Sequence, residues 1–474
     1  MTTQLDGLPV VVIGAGPVGL AAAAHLTERG LPFTVLEAGD RPAASVRQWG
    51  HVRLFSPWRY NTDAAARRLL ADAGWIEPAP EVLPTGAQLA DEYLQPLADL
   101  PSLKPHVRYG ARVQAVTRLG VDRVRTAGRD TAPFLVRLAE GDDILARAVI
   151  DASGTWTTPN VLGASGIPAR GEDTAAAFIE QALPDVLRAD RDRFAGRRTL
   201  VVGAGHSAAN TLLFLAELAG QAPGTSVVWA IRAASAARTY GGETADALPA
   251  RGAIGTRLRE HVEAGNIELV TGFSVHSLTP TVDGQVTVSD GTRSITADRI
   301  VSATGFRPNH GITSELRLDL DPILGSTRAL APLIDPNDHS CGTVPPHGID
   351  ELAHPEAGYY AVGVKSYGRA PTFLLATGYE QARSVVAALA GDWDAARDVQ
   401  LDLPETGVCN SNPVLGETTI SANDGGCCAP AAQPAAATGR GLATGLSGGL
   451  LSAPLTLLPV ADASGEQSGG SCCG

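Results

Sequence analysis

The chain has no cysteine before Cys341 and no C-x-x-C spacing anywhere. A disulfide-stapled secreted framework would spread its cysteines along the chain, and a dithiol of that spacing is excluded outright. Lysine is nearly missing as well: Lys104 and Lys365 are the only two, and the remaining basic charge is arginine. With a formal net charge of −13 and no Lys/Arg block, the chain lacks the footprint of a nucleic-acid surface or a polybasic membrane anchor. No charged segment followed by an apolar one precedes the first predicted strand, and the apolar stretch 450–460 is short and broken by two prolines. The expectation is a cytoplasmic protein without membrane or nucleic-acid partners. Its 474 residues suffice for about three domain-sized units.

What is present begins at residue 8. Val10–Ile13 is a β-branched apolar run; Gly14, Gly16 and Gly19, with Pro17 among them, spell G-x-G-x-x-G; and the Ala-rich segment from Leu20 reads as a helix closed by Gly30. In a strand–turn–helix unit the first glycine permits the turn, the second lets backbone approach a pyrophosphate, and the third packs helix on strand. The helix N-terminus then faces the phosphates. Phe33–Leu36 is a second strand, and Glu37 at its end suits a ribose diol.

The opening pattern recurs downstream. Thr199–Val202 reads as strand, Gly203, Gly205, His206, Ser207 and Ala208 as the phosphate turn, and Ala209–Leu218 as helix. The next strand, Val227–Ile231, ends in Arg232, with Arg238 following and no carboxylate between Val227 and Arg238. Positive charge at that place suits a 2′-phosphate, and so NADPH rather than NADH. Between the two turns, Asp63–Ala73 reads as helix, and Val107–Leu119, Phe134–Leu138 and Ala148–Gly154 contribute strands. Further strands are expected at Ile267–Val270, Val286–Val288, Arg299–Gly305 and Tyr359–Val364, with a helix from about Phe373 to Leu389. Beyond Leu403 the Gly-, Ala-, Ser- and Pro-rich text has no sustained periodicity and reads as a flexible tail.

These residues resemble the two-dinucleotide-binding flavoproteins, and among them the class B flavin monooxygenase-like group, over roughly the first 400 positions. The resemblance rests on Gly14 to Gly19, Glu37, Gly203 to Ala208, and Ala303-Thr304-Gly305-Phe306-Arg307-Pro308. It implies an α/β fold with two Rossmann-like domains, FAD on the first and NAD(P)H on the second, which is inserted into it. The implied division is 1–160 and 301–403 for the FAD domain, 161–300 for the NAD(P)H domain and 404–474 for the tail. No histidine lies between Trp156 and Gly205, where flavin monooxygenases carry a His-containing fingerprint, so the likeness reaches the architecture rather than oxygen use.

Further candidates follow from residue type and place. Arg47, Trp49 and Arg53 lie shortly after Glu37 and suit FAD phosphates and ring environment. Thr304 and Gly305 form a turn resembling the one at Ser153-Gly154, while Lys365 and Arg369 follow the strand expected to approach the flavin, where a cation stabilises the reduced ring. Cys341 and His347 share a loop rich in reactive types, Cys341 as a substrate thiolate or metalloid ligand and His347 as a proton donor near the flavin. The pairs Cys427-Cys428 and Cys472-Cys473 suit a thiophilic ion, the second being similar to the C-terminal pair of mercuric reductase. Flavoproteins similar to the monooxygenase group also occur among arsenic-resistance functions. The resulting expectation is an NADPH-dependent FAD oxidoreductase acting on a metalloid or sulfur substrate, with the homodimer left open. The alternatives are a reductase whose tail thiols receive electrons, and a flavin-containing protein that sequesters thiophilic metal.

Overall fold

The computed structural model describes residues 5, 7–242, 246, 248–339 and 344–401. All of them fall in the first of two compact units, Met1–Pro413. Cys341 and the other five cysteines, including both tail pairs, lie outside the described residues.

In chain order, β1 (Val10–Ile13), β2 (Phe33–Leu36) and β3 (Val107–Arg108) start the first sheet. An antiparallel layer follows, made by β4 (Val113–Arg118), β5 (Phe134–Leu138) and β6 (Asp143–Ala146). The chain then returns through β7 (Ala148–Asp151) beside β1. The second parallel sheet takes β8 (Ile179–Gln181), β9 (Arg198–Val202), β10 (Ser226–Ala230) and β11 (Glu268–Val270). Next come β12 (Ser277–Pro280), β13 (Val286–Ser289) and β14 (Ser294–Ala297), an antiparallel layer, and then β15 (Arg299–Ser302) and β16 (Tyr359–Ala361). The two parallel sheets have orders β16-β7-β1-β2-β3 and β11-β10-β9-β15-β8, so the expected α/β architecture of two Rossmann-like folds is present. Because β15 pairs with β9, the expected boundary at 300/301 falls inside a strand of the second fold.

Two strand expectations are corrected by backbone conformation. Val107–Leu119 is not one strand: Gly110 (φ +67°) turns the chain from β3 in the parallel sheet to β4 in the antiparallel layer. Tyr359–Val364 stops at Ala361, and Gly363 (φ +70°) redirects it into a 3₁₀ turn.

Helix α1 (Pro17–Glu28) is buried from Val18 to Leu26, with alanines at 21–24, because it lies between the first sheet and a later helix rather than at a surface. Short α2 (Ala44–Gln48) follows β2, and α3 (Ala64–Asp72) is capped by the Asp63 carboxylate. The second fold carries α4 (His206–Gln221) and α5 (Pro249–Glu263), and α6 (Leu375–Leu389) packs along α1. No helix among the described residues is long and apolar enough to cross a membrane.

The chain passes between the folds through a neck of two antiparallel segments, 155–160 and 304–307. The Arg307 amide donates to Thr158 O (3.0 Å), Asn160 to Gly305 O (2.9 Å), and the Arg307 guanidinium to Asn160 Oδ1 (2.7 Å). Trp156 and Phe306 pack ring to ring at 4.9 Å.

Candidate active site

The first phosphate turn sits where β1 meets α1. Gly14 (φ +98°) is pressed against β7, so that a Cβ there would lie 2.8 Å from Ala152 O, and a Cβ on Gly19 would lie 1.9 Å from Gly14 O. Gly16 differs: a Cβ there would meet no protein atom within 4 Å, and the residue is the N-cap of α1 with no side chain capping the helix. Protein packing therefore does not require glycine at 16, and the space in front of it is open to an occupant. Pro17, at the start of the helix, has no N–H to leave unsatisfied. Glu37 closes the turn, accepting from Ala15 N (2.7 Å) and Gly39 N (2.8 Å). A carboxylate has about four acceptor sites, so capacity remains for ribose hydroxyls. These features fit a dinucleotide.

The second turn repeats the arrangement. Gly203 (φ +140°) is pressed on β15, where a Cβ would lie 2.1 Å from Ala303 O; Ala208 is fully buried in the place of the third glycine; and Gly205 again has open space and an uncapped helix behind it. Ser207 lies in the first turn of α4. In front of Gly205 is a pocket lined by His206, Arg238, Tyr240, Asp246, Arg251 and Ile254, among others. Arg238 thus stands at the pocket, with one guanidinium nitrogen on Pro336 O (3.3 Å), while Arg232, which does not line it, bonds Ala164 O (3.1 Å). Asp246 holds buried Arg251 through two bonds of 2.7 and 2.8 Å. His206 is exposed at the pocket, and the protein mass around it and the Arg251 guanidinium push its pKa below its ordinary value, against the opposing pull of Asp246.

A family profile described as pyridine nucleotide-disulphide oxidoreductase matches residues 11–341, which takes in both turns. The chain belongs to that family. As a pyridine nucleotide-disulphide oxidoreductase it falls among FAD- and NAD(P)-binding oxidoreductases. It is similar to an indole-3-pyruvate monooxygenase of rice, Oryza sativa subsp. japonica (32% identity, 42% of either chain). It is also similar to a ferredoxin–NADP reductase of Gluconobacter oxydans (29% identity, 49% of this chain and 63% of that one). The match thus spans 42% and 63% of the lengths of these two curated relatives. Its fold is shared with the bacillithiol disulfide reductase of Bacillus cereus (TM-score 0.59, 18% identity, 81% of this chain and 99% of that one). A flavin monooxygenase variant from Stenotrophomonas maltophilia shares it too (TM-score 0.54, 22% identity, 81% and 98%).

Within this chain, several expected site residues have other tasks. Lys365 is buried and paired with Asp151 (2.6 Å) and Ser153 Oγ (3.0 Å), and the Tyr359 hydroxyl donates to the same carboxylate (3.0 Å). Burial drives the Asp151 pKa up, yet Lys365 and Ser153 hold it below the usual carboxylate value. The lysine charge is therefore spent inside the first fold rather than offered to a flavin edge. His347 is corrected similarly. Its Nδ1 faces Pro345 O (3.0 Å) and so carries the proton, and its Nε2 accepts from the Gln381 amide (2.9 Å). With both nitrogens engaged and burial lowering its pKa, it is a neutral packing residue, not a proton donor.

The remaining expectations divide in the same way. Arg47 is held by Pro42 O (3.2 Å), Asp91 and Gln95 (3.3 Å), Arg53 bonds Leu83 O, and Trp49 packs against the cores of both folds. Thr304 Oγ1 donates to Asn160 O (3.0 Å), so Thr304 and Gly305 serve the neck. Arg369 is exposed, and among the described residues its guanidinium has no hydrogen-bond partner. Sequence reasoning missed Asp246, Arg251 and Phe55, whose ring lies 5.2 Å from that of His206. An Arg two residues into helix α5, which the sequence reading does not include, carries no signal of the pocket it lines.

Proposed function

We propose that the protein is an NADPH-dependent FAD oxidoreductase, with FAD at Gly14–Gly19 and Glu37, NADPH at Gly203–Ala208, and a soft heteroatom, metalloid or sulfur, as the final acceptor or substrate. The observation that carries the nucleotide part is the pair of open glycine cradles, each at the uncapped start of a helix, where a Cβ on Gly16 or Gly205 would meet no protein atom within 4 Å. When bound, FAD supplies the two-electron acceptor for a nicotinamide hydride. The chain's own share is to hold phosphates on backbone amides, to accept ribose hydroxyls at Glu37, and to place the positive charge of Arg238 at the second pocket. That charge favours a 2′-phosphate, with Arg232 the less well placed of the two arginines. The heteroatom part rests on sequence: two adjacent cysteine pairs in a chain with only six cysteines.

The test is NADPH oxidation by the full chain and by a chain ending at Leu403, with and without arsenite or mercuric ion. The reading expects a flavin spectrum and dye reduction from both, and thiophile-stimulated turnover from the full chain alone. Thiophile binding without NADPH consumption would instead make the protein a metal-sequestering one, and equal stimulation of both chains would remove the tail from the reaction.

A further inference from the structure

The first fold does not merely adjoin the second; a strap of it, residues 48–55, is built into the second. Gln48 accepts from Trp156 Nε1 at the neck (2.9 Å). Trp49 packs on both cores, His51 meets Phe214 of α4 at 5.7 Å between ring centroids, and Val52 belongs to the core of the second fold. The strap ends at the phosphate turn itself. Phe55 lies with its ring 5.2 Å from that of His206, the first residue of α4, and its face 6.0 Å from the guanidinium carbon of Arg251.

Hydride transfer requires donor and acceptor carbons to be brought within about 3–3.5 Å, and a misplacement of about 1 Å costs on the order of a hundredfold in rate. In this chain the acceptor is carried by one fold and the donor by the other, a division that rests on the reading above. Their relative placement must be set by whatever fixes one turn against the other. The neck is one such fixture, and the bond from Arg238 to Pro336 O (3.3 Å) in the first fold's return segment is another. Phe55 is a side chain of the first fold that packs on the second phosphate turn, and the packed strap behind it cannot yield without disturbing two cores.

We propose that Phe55 is a positioning residue for hydride transfer: by packing on His206 it sets the second phosphate turn, and with it the nicotinamide, in register with the flavin. Its contact is ring to ring with His206 at the start of α4, so it acts on where the turn sits, and its loss is read first in the limiting rate of the chemical step.

The experiment is anaerobic stopped-flow reduction of the FAD-loaded full chain over a range of NADPH concentrations, which separates the limiting reduction rate from Kd. Phe55→Ala is expected to lower the limiting rate about ten- to a hundredfold with Kd unchanged, and Phe55→Tyr, which keeps the ring, to restore it. His206→Ala, a change in the nucleotide turn itself, removes the same ring contact and is expected to lower the limiting rate as well, and the double variant to lose less than the sum of the two. Should Phe55→Ala lose FAD, Phe55→Leu, which keeps apolar bulk without the ring, carries the same comparison. An unchanged limiting rate, a loss confined to Kd, or additive losses in the double variant would overturn the proposal. If NADPH fails to reduce the wild-type flavin, the functional reading falls and this proposal with it; reduction of the wild type with unaltered Phe55 variants defeats the proposal alone.

Discussion

Replacing the turn glycines one at a time separates those that serve the fold from those that serve the ligand. Gly16→Ala adds a methyl group that meets no protein atom within 4 Å, on a backbone (φ −80°, ψ −174°) that alanine adopts without strain. The apoprotein should lose roughly 1 kcal/mol or less, the ordinary cost of alanine at a helix N-cap. The same methyl fills the space in front of the uncapped α1 amides. Displacing a phosphate from even one charge-assisted hydrogen bond costs about 1.5–3 kcal/mol, which weakens FAD binding roughly ten- to a hundredfold. Gly16→Val should be purified colourless. Gly19→Ala is the contrast, since its Cβ would lie 1.9 Å from Gly14 O, a backbone atom that no rotamer change can move. That variant should fail in the apoprotein before any question of FAD arises. FAD content read by absorbance, FAD affinity by fluorescence quenching, and urea unfolding of the flavin-stripped proteins give the three quantities. A Gly16→Ala protein with wild-type FAD affinity, or one whose apo form is as damaged as Gly19→Ala, would refute the argument.

Other outcomes follow from the site. Arg238→Ala should raise the NADPH Michaelis constant about tenfold or more with little change for NADH, and more than Arg232→Ala does, because only Arg238 lines the pocket; equal effects on both coenzymes would remove it from discrimination. Lys365→Met should cost roughly 3–5 kcal/mol by leaving the Asp151 carboxylate buried without its cation, and adding Asp151→Asn should recover much of that, measured by urea unfolding. Stability should also fall in acid through His354, whose pKa is lowered to about 4 by burial and by the neighbouring His310, against Asp319. Because the unfolded chain takes up that proton near pH 6.5 and the folded one does not, stability is lost as pH falls from about 6.5 to about 4. The loss is roughly 3 kcal/mol in full, and His354→Gln should abolish it.

The two phosphate turns were legible because their cause is local. β1, β2 and the start of α1 follow from a β-branched run, spaced glycines and an alanine block, all within thirty residues. Helix α5 was not: its buried positions are Arg251, Gly252, Gly255 and Leu258, a face with little apolar signal that works because Gly255 lets Tyr240 O approach. Lys365 and His347 looked reactive because residue type is visible in sequence and partners are not. Asp151 lies 214 residues from Lys365, and Gln381 lies 34 from His347 on a different element. Nothing in the composition of the strap tells that Val52 belongs to the other fold's core.

The neck at 155–160 and 304–307 makes the second fold a cassette. Its entry and exit are already joined by hydrogen bonds, so excision there leaves two ends that a few residues could splice, and an isolated cassette would have little closure entropy to overcome. Grafting a nucleotide fold of different coenzyme preference onto this scaffold is then a matter of two cut points and one docking face. That face is the side of α4 bearing His206 and Phe214, which a transplanted fold would have to reproduce if the strap is to seat.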